Sequence, residues 1–152
     1  MHQGGRNIVE RMCALFFYPI MPQERRYLYE TFSTCKWDFS MKAILREKGI
    51  ELANDITLAA SLPARMKGLL GKERLDAGKG LLIRPCKGIH TFFMKFPIDV
   101  VFLDKDDRIV ALVRDLSPNR LTTVYRKASA VLELPAGTIT TGVSIDDIVT
   151  FS

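Results

Sequence analysis

Residues 98–103, Ile-Asp-Val-Val-Phe-Leu, constrain the fold more than any other stretch of this chain. In extended backbone, successive side chains point to opposite faces. Ile98, Val100 and Phe102 then share one face, while Val101 and Leu103 share the other with Asp99. A strand apolar on both faces belongs inside a sheet that is covered above and below. Asp99 is the exception. A carboxyl group there is costly unless it is well hydrogen-bonded.

The neighbouring segments follow the same grammar. MKAILREKGIELANDI, residues 41–56, reads as two extended runs around a Lys48-Gly49 turn, with Ile50, Leu52 and Ile56 in alternation, as in a hairpin. GLLIR (80–84), IHTFFM (89–94), IDVVFLD (98–104), RIVALVRDL (108–116), ASAVLELPAG (128–137) and DIVTF (147–151) read as further strands. Between them stand turn segments such as DKDD and SPNR. SLPARMKGLLGKERL is the helix signal. Ser61 can cap it and Pro63 suits its first turn. Leu62, Met66, Leu69 and Leu70 fall on one face, and Gly71 is the stop. The expectation is an all-β domain, a mostly antiparallel sandwich or barrel-like fold, with one short helix near residues 62–70.

At 152 residues the chain has the length of one domain with its own core. Residues 1–40 keep neither period for long and are interrupted by Gly4, Gly5, Pro19 and Pro22. They are expected to be an N-terminal extension outside the core, with residues 41–152 as the domain and Met41 as a candidate natural start. MCALFFYPIM, residues 12–21, is too short to span a bilayer and is broken by Pro19. Glu10, in the position of a basic leader region, argues against a signal peptide. Cys13, Cys35 and Cys86 are odd in number and widely spaced, with no CxxC pair, which suits a reducing compartment. The expected localisation is cytoplasmic, with export left open.

The net charge of +5 is unevenly placed. Between Arg65 and Lys87 there are seven bases and two acids, which accounts for the whole excess. Such a run could attract phosphates or nucleic acid, but a solvated face is the simpler reading. Phe92, Phe93 and Phe96, the aromatics that would stack on bases, lie outside it and read as core, which counts against a nucleic-acid partner.

The polar groups set among apolar strands are the site candidates. Strand alternation places His90, Phe92 and Met94 together, and Glu133 shares a face with Val131. In a functional reading, Asp99 or Glu133 orients His90 while Arg65 or Lys95 holds an anionic ligand. In a structural reading, Asp99 holds the Phe96-Pro97 turn and Glu133 the Pro135-Ala136-Gly137 turn, as structural polar groups. Cys86 and His90 stand four apart, a spacing that suits a helix better than a strand, and too few other ligands exist for zinc; no metal or cofactor is expected. An enzyme would have to act through His90 with Cys86 or Asp99, yet no nucleophile motif surrounds them. GLLGKER lacks the spacing of a phosphate-binding loop, and DKDDRIV lacks the glycine and terminal acid of a calcium loop.

ARMKGLLGKERLDAGKGLLI, IHTFFMKFPIDVVFLD and VLELPAG, in that order and spacing, resemble the domain-of-unknown-function family 192 of small bacterial and archaeal proteins. The resemblance covers roughly residues 41–152. It implies a compact, mostly β fold of sandwich or barrel type, and it implies no activity. Arg65, Gly68, Leu69, His90, Met94, Lys95, Pro97, Asp99, Phe102, Glu133 and Gly137 match its motifs. Some members carry an export signal, which this N-terminus does not match. The leading expectation is a β domain that binds a small ligand or a protein partner, with Arg65, His90, Met94, Lys95 and Glu133 as ligand-binding candidates.

Overall fold

The structure, a computed structural model, describes residues 41–152. The readings made for residues 1–40, Cys13 and Cys35 included, lie outside the described residues. Seven strands and one short helix follow in order: β1 Met41–Leu45, β2 Glu51–Ala59, α1 Leu62–Lys67, β3 Lys79–Ile83, β4 Ile98–Leu103, β5 Ile109–Leu116, β6 Ala130–Pro135 and β7 Val149–Phe151. The domain is all-β. Its strands form one sheet in the order β5-β4-β6-β3-β2-β1-β7, curled into a half-barrel. A single curled sheet is the barrel-like alternative, and no second sheet stacks on it among the described residues. Every pairing is antiparallel except β2 with β3, whose parallel register follows from the crossover through α1.

All six residues of β4 are buried, as its two-sided apolar pattern requires. Strand parity sorts the interior into two clusters. Val101, Leu103, Leu132 and Leu134 pack on one face with Ile139 and Val149. Val100, Phe102 and Val131 pack on the other with Ile83, Leu69 and Met94. The hairpin read from residues 41–56 is present, and Gly49 supplies the positive φ of 65° that its turn needs.

Two expectations are corrected. α1 begins as read, with the Ser61 hydroxyl accepting from Ala64 N at 3.3 Å, but it ends at Lys67. Gly68, at φ 49°, turns the chain, so Leu69 packs inward from a turn while Met66 faces solvent. Residues 89–94 form no strand. Thr91, fully buried, donates its hydroxyl to Ser117 O at 2.8 Å and accepts from Arg120 N at 3.0 Å. Asn119 Oδ1 accepts from Phe93 N at 3.0 Å. These side-chain bonds offer the backbone partners other than a ladder, so only a single bridge, His90 to Leu121, remains. Phe92 and Phe93, read as core, are exposed.

Candidate functional site

Glu133 sits in the middle of β6, on the face it shares with Val131. Its neighbours across the ladder are Leu81 on β3 and Val100 on β4, so the carboxyl group rises from an apolar floor. Over this floor pass α1 with its following turn and the loop after β3. They leave an open cleft of about 300 Å³. Its walls include Leu69, Leu70, Ile83, Ile89 and Met94, and its polar groups are Arg65, Lys67, Cys86, His90 and Glu133.

Glu133 is 4% exposed, and its Oε2 has no hydrogen-bond partner. Burial pushes its pKa up to about 8, against the pull of the Lys72 cation. Near neutral pH the group is therefore mainly the uncharged acid, able to donate one hydrogen bond and accept another. Arg65 donates from Nη1 to Pro85 O at 2.8 Å, which pins the guanidinium at the wall. Its Nε is buried without a partner. The Cys86 thiol donates to Gly88 O at 3.2 Å. Burial pushes its pKa up, and the Glu133 charge adds to that. A thiol so placed is a poor nucleophile. The His90 ring stands exposed at the edge, stacked on Phe92 with centroids 5.1 Å apart.

Arg65, His90, Met94 and Glu133 thus converge on one cleft, and Cys86 joins them. Lys95 does not. It is exposed, reaches away to an ion pair with Glu73, and does not line the cleft. Asp99 does not orient His90, nor does it hold the Phe96-Pro97 turn. It is 1% exposed and accepts from Asp115 N at 2.8 Å and Ile139 N at 2.7 Å. Glu133 makes no bond to the Pro135-Ala136-Gly137 turn; that turn is closed by Thr138, whose N–H and hydroxyl both donate to Pro135 O. Among the described residues no group of three or more His, Cys, Asp or Glu is placed to hold a metal ion. No helix there is long and apolar enough to cross a membrane.

The basic run from Arg65 to Lys87 is divided by the fold. Arg74 and Lys79 bracket Asp76 at 2.7 and 3.5 Å, and Arg84 pairs with Asp107. Sequence reasoning missed Thr91, which ties the loop bearing His90 to residues 117–120. Its signal was a β-branched hydroxyl inside an apolar run, which also suits an ordinary strand. It missed Gly88 as well, where an added Cβ would meet Thr123 O at 3.3 Å.

The family model DUF192, described as "Uncharacterized ACR", matches residues 43–151. Two solved structures are similar. One, described as a "putative transcription regulator" from Sinorhizobium meliloti 1021, is 22% identical, with a TM-score of 0.61 over 73% of this chain and 91% of that one. The other, a protein of unknown function from Novosphingobium aromaticivorans DSM 12444, is 18% identical, with a TM-score of 0.59 over 74% of this chain and 94% of that one. At these identities the likeness concerns the fold alone. A comparison with curated proteins found no match.

Proposed function

The chain belongs to the DUF192 family, and on that footing we propose that its domain binds a small molecule with an apolar body and a hydrogen-bonding head. One observation carries the reading: a buried carboxyl oxygen without a partner lines an open cleft. A polar group in that state costs about 1–3 kcal/mol, which a ligand bonded to it recovers. The apolar walls take the body of the ligand. Arg65 Nε–H and the Glu133 acid both offer donors to its head, so a carbonyl or carboxylate oxygen fits best. His90 and Phe92 form a flat edge over which the ligand enters.

An enzyme acting through His90 with Cys86 is less well supported, because the thiol is held protonated; Asp99 lies on the other face of the sheet. The Sinorhizobium protein's description points to nucleic acid, against which stand the ion pairs that divide the basic run.

Small carboxylic acids and amides with apolar bodies, titrated into the full chain and followed by the His90 ring resonances and by calorimetry, test the proposal. Binding should fall at least about tenfold in Glu133→Leu, the equivalent of one lost hydrogen bond. A ligand bound equally well by Glu133→Leu, or none bound at all, would overturn it.

A further inference from the structure

Seven large hydrophobic side chains are exposed among the described residues, and they are not scattered. Five of them lie on segments that line or adjoin the cleft. Met66 lines it. Phe92 stacks on His90, Leu121 bridges to His90, and Val124 lies against Gly88. Phe93, 84% exposed, stands at the tip of the same loop.

The tip is built rather than loose. Phe93 is at φ 64° and Asn119 at φ 59°, both in the left-handed region that a phenylalanine seldom enters. Asn119 Oδ1 holds Phe93 N at 3.0 Å. Four backbone bonds lace residues 87–91 to 119–125: Thr91 N to Arg120 O, Asn119 N to Thr91 O, Thr122 N to Ile89 O and Tyr125 N to Lys87 O. The surrounding bonds hold this strained backbone with an aromatic ring in water, and strain of this kind clusters at binding sites and clamps.

Charge says what the contact is. The three segments that form this surface, residues 65–67, 87–95 and 117–127, contain two, two and three bases and no acid. Lys95 is answered by Glu73 from outside them. Lys67, Lys87, Arg120, Arg126 and Lys127 are exposed and form no ion pair among the described residues. Apolar side chains projecting from a cationic ring match the boundary of an anionic bilayer, where the rings enter the acyl region and the bases meet headgroup phosphates. Single-stranded nucleic acid fits less well, because Met66, Leu121 and Val124 offer no ring for a base to stack on.

We propose that this apolar, basic collar docks the protein onto an anionic phospholipid surface, with Phe93 inserted and the cleft mouth facing the lipid. The inference does not depend on Glu133 or on what the cleft holds.

The test is sedimentation of the full chain with vesicles of phosphatidylcholine alone or mixed with phosphatidylglycerol. The mixed vesicles should bind it, and plain ones should bind about tenfold or more weakly, with binding lost at high salt. Phe93→Ser should lower binding to mixed vesicles by about tenfold, and Arg120→Glu with Lys127→Glu by a comparable factor. All three changed side chains are exposed, so an unchanged thermal melt shows that the fold is intact. No binding to mixed vesicles at low salt, equal binding to plain ones, or binding indifferent to Phe93 would overturn the proposal. So would a preference for single-stranded polynucleotide over mixed vesicles.

Discussion

Asp99 and Glu133 are acids one register step apart on paired strands, β4 and β6, and almost equally buried, yet the sheet treats them in opposite ways. Val100 stands opposite Glu133, and Asp99 stands opposite Leu134. Parity therefore sends the two carboxyl groups to opposite faces. On its face, Asp99 meets two backbone N–H groups, 16 and 40 residues further along the chain, one for each oxygen. On the other, Glu133 meets Leu81, Val100 and an open cleft. Depth of burial does not decide what a buried acid does. The donors within reach decide it, and those come from elsewhere in the chain, Asp115 on β5 and Ile139 in the loop after β6, rather than from the strand that bears the acid.

The sharpest way to break the contrast is to remove Asp99. Asp99→Ala leaves two backbone donors unpaired, the Ile139 one buried, and should cost about 3–5 kcal/mol, read from the midpoint of denaturant unfolding. Asp99→Asn should cost about 2 kcal/mol, since the amide nitrogen that replaces one oxygen cannot accept. A change below about 1 kcal/mol in Asp99→Ala would show that the clasp contributes little.

The matching amide at the other site should act with the opposite sign. The folded pKa of Glu133, about 8, lies above its ordinary 4.5, so the folded protein keeps a proton that the unfolded chain releases. The stability tied to this proton is fully present below about pH 4.5 and falls by roughly 1.4 kcal/mol per pH unit above that. It is lost once the pH has passed the folded value. Glu133→Gln has no proton to release. It should remove this slope, match the wild type near pH 4 and be about 3–4 kcal/mol more stable near pH 7. Unfolding curves across that range check it. A stabilised variant that no longer binds ligand would show stability given up for function.

The smallest effect is expected at the turn that delivers one of Asp99's donors. Gly137 lies two residues before Ile139 at φ 86°, and an added Cβ meets nothing within 4 Å. Gly137→Ala should thus cost about 1 kcal/mol from backbone strain alone. A loss as large as that of Asp99→Ala would mean that the turn and the clasp act as one unit.

Much of this was legible in the sequence. Two-sided apolarity marked β4 as central, the Lys48-Gly49 and Pro135-Ala136-Gly137 turns bounded their strands, and Ser61 marked the start of α1. Arg65, His90, Met94 and Glu133 were picked out, and they line one cleft. The failures share a cause. IHTFFM has the composition of a strand, but Thr91 and Asn119 supply hydrogen bonds that a strand pattern does not include. Phe92 and Phe93 were read as core because aromatic rings usually are, whereas here the loop holds them outward. Lys95 reads as a holder of an anionic ligand, but its partner is Glu73, 22 residues back in the chain.

The sequence by itself determined the all-β class, the order of the strands along the chain and which side chains alternate, because side-chain period and turn chemistry are local properties of the backbone. Only the tertiary structure decided how the strands are ordered across the sheet, which buried acid is clasped and which is left open, and where the exposed rings gather. Those outcomes depend on donors and surfaces brought together from distant parts of the chain, and hydrogen bonds form according to distance in space.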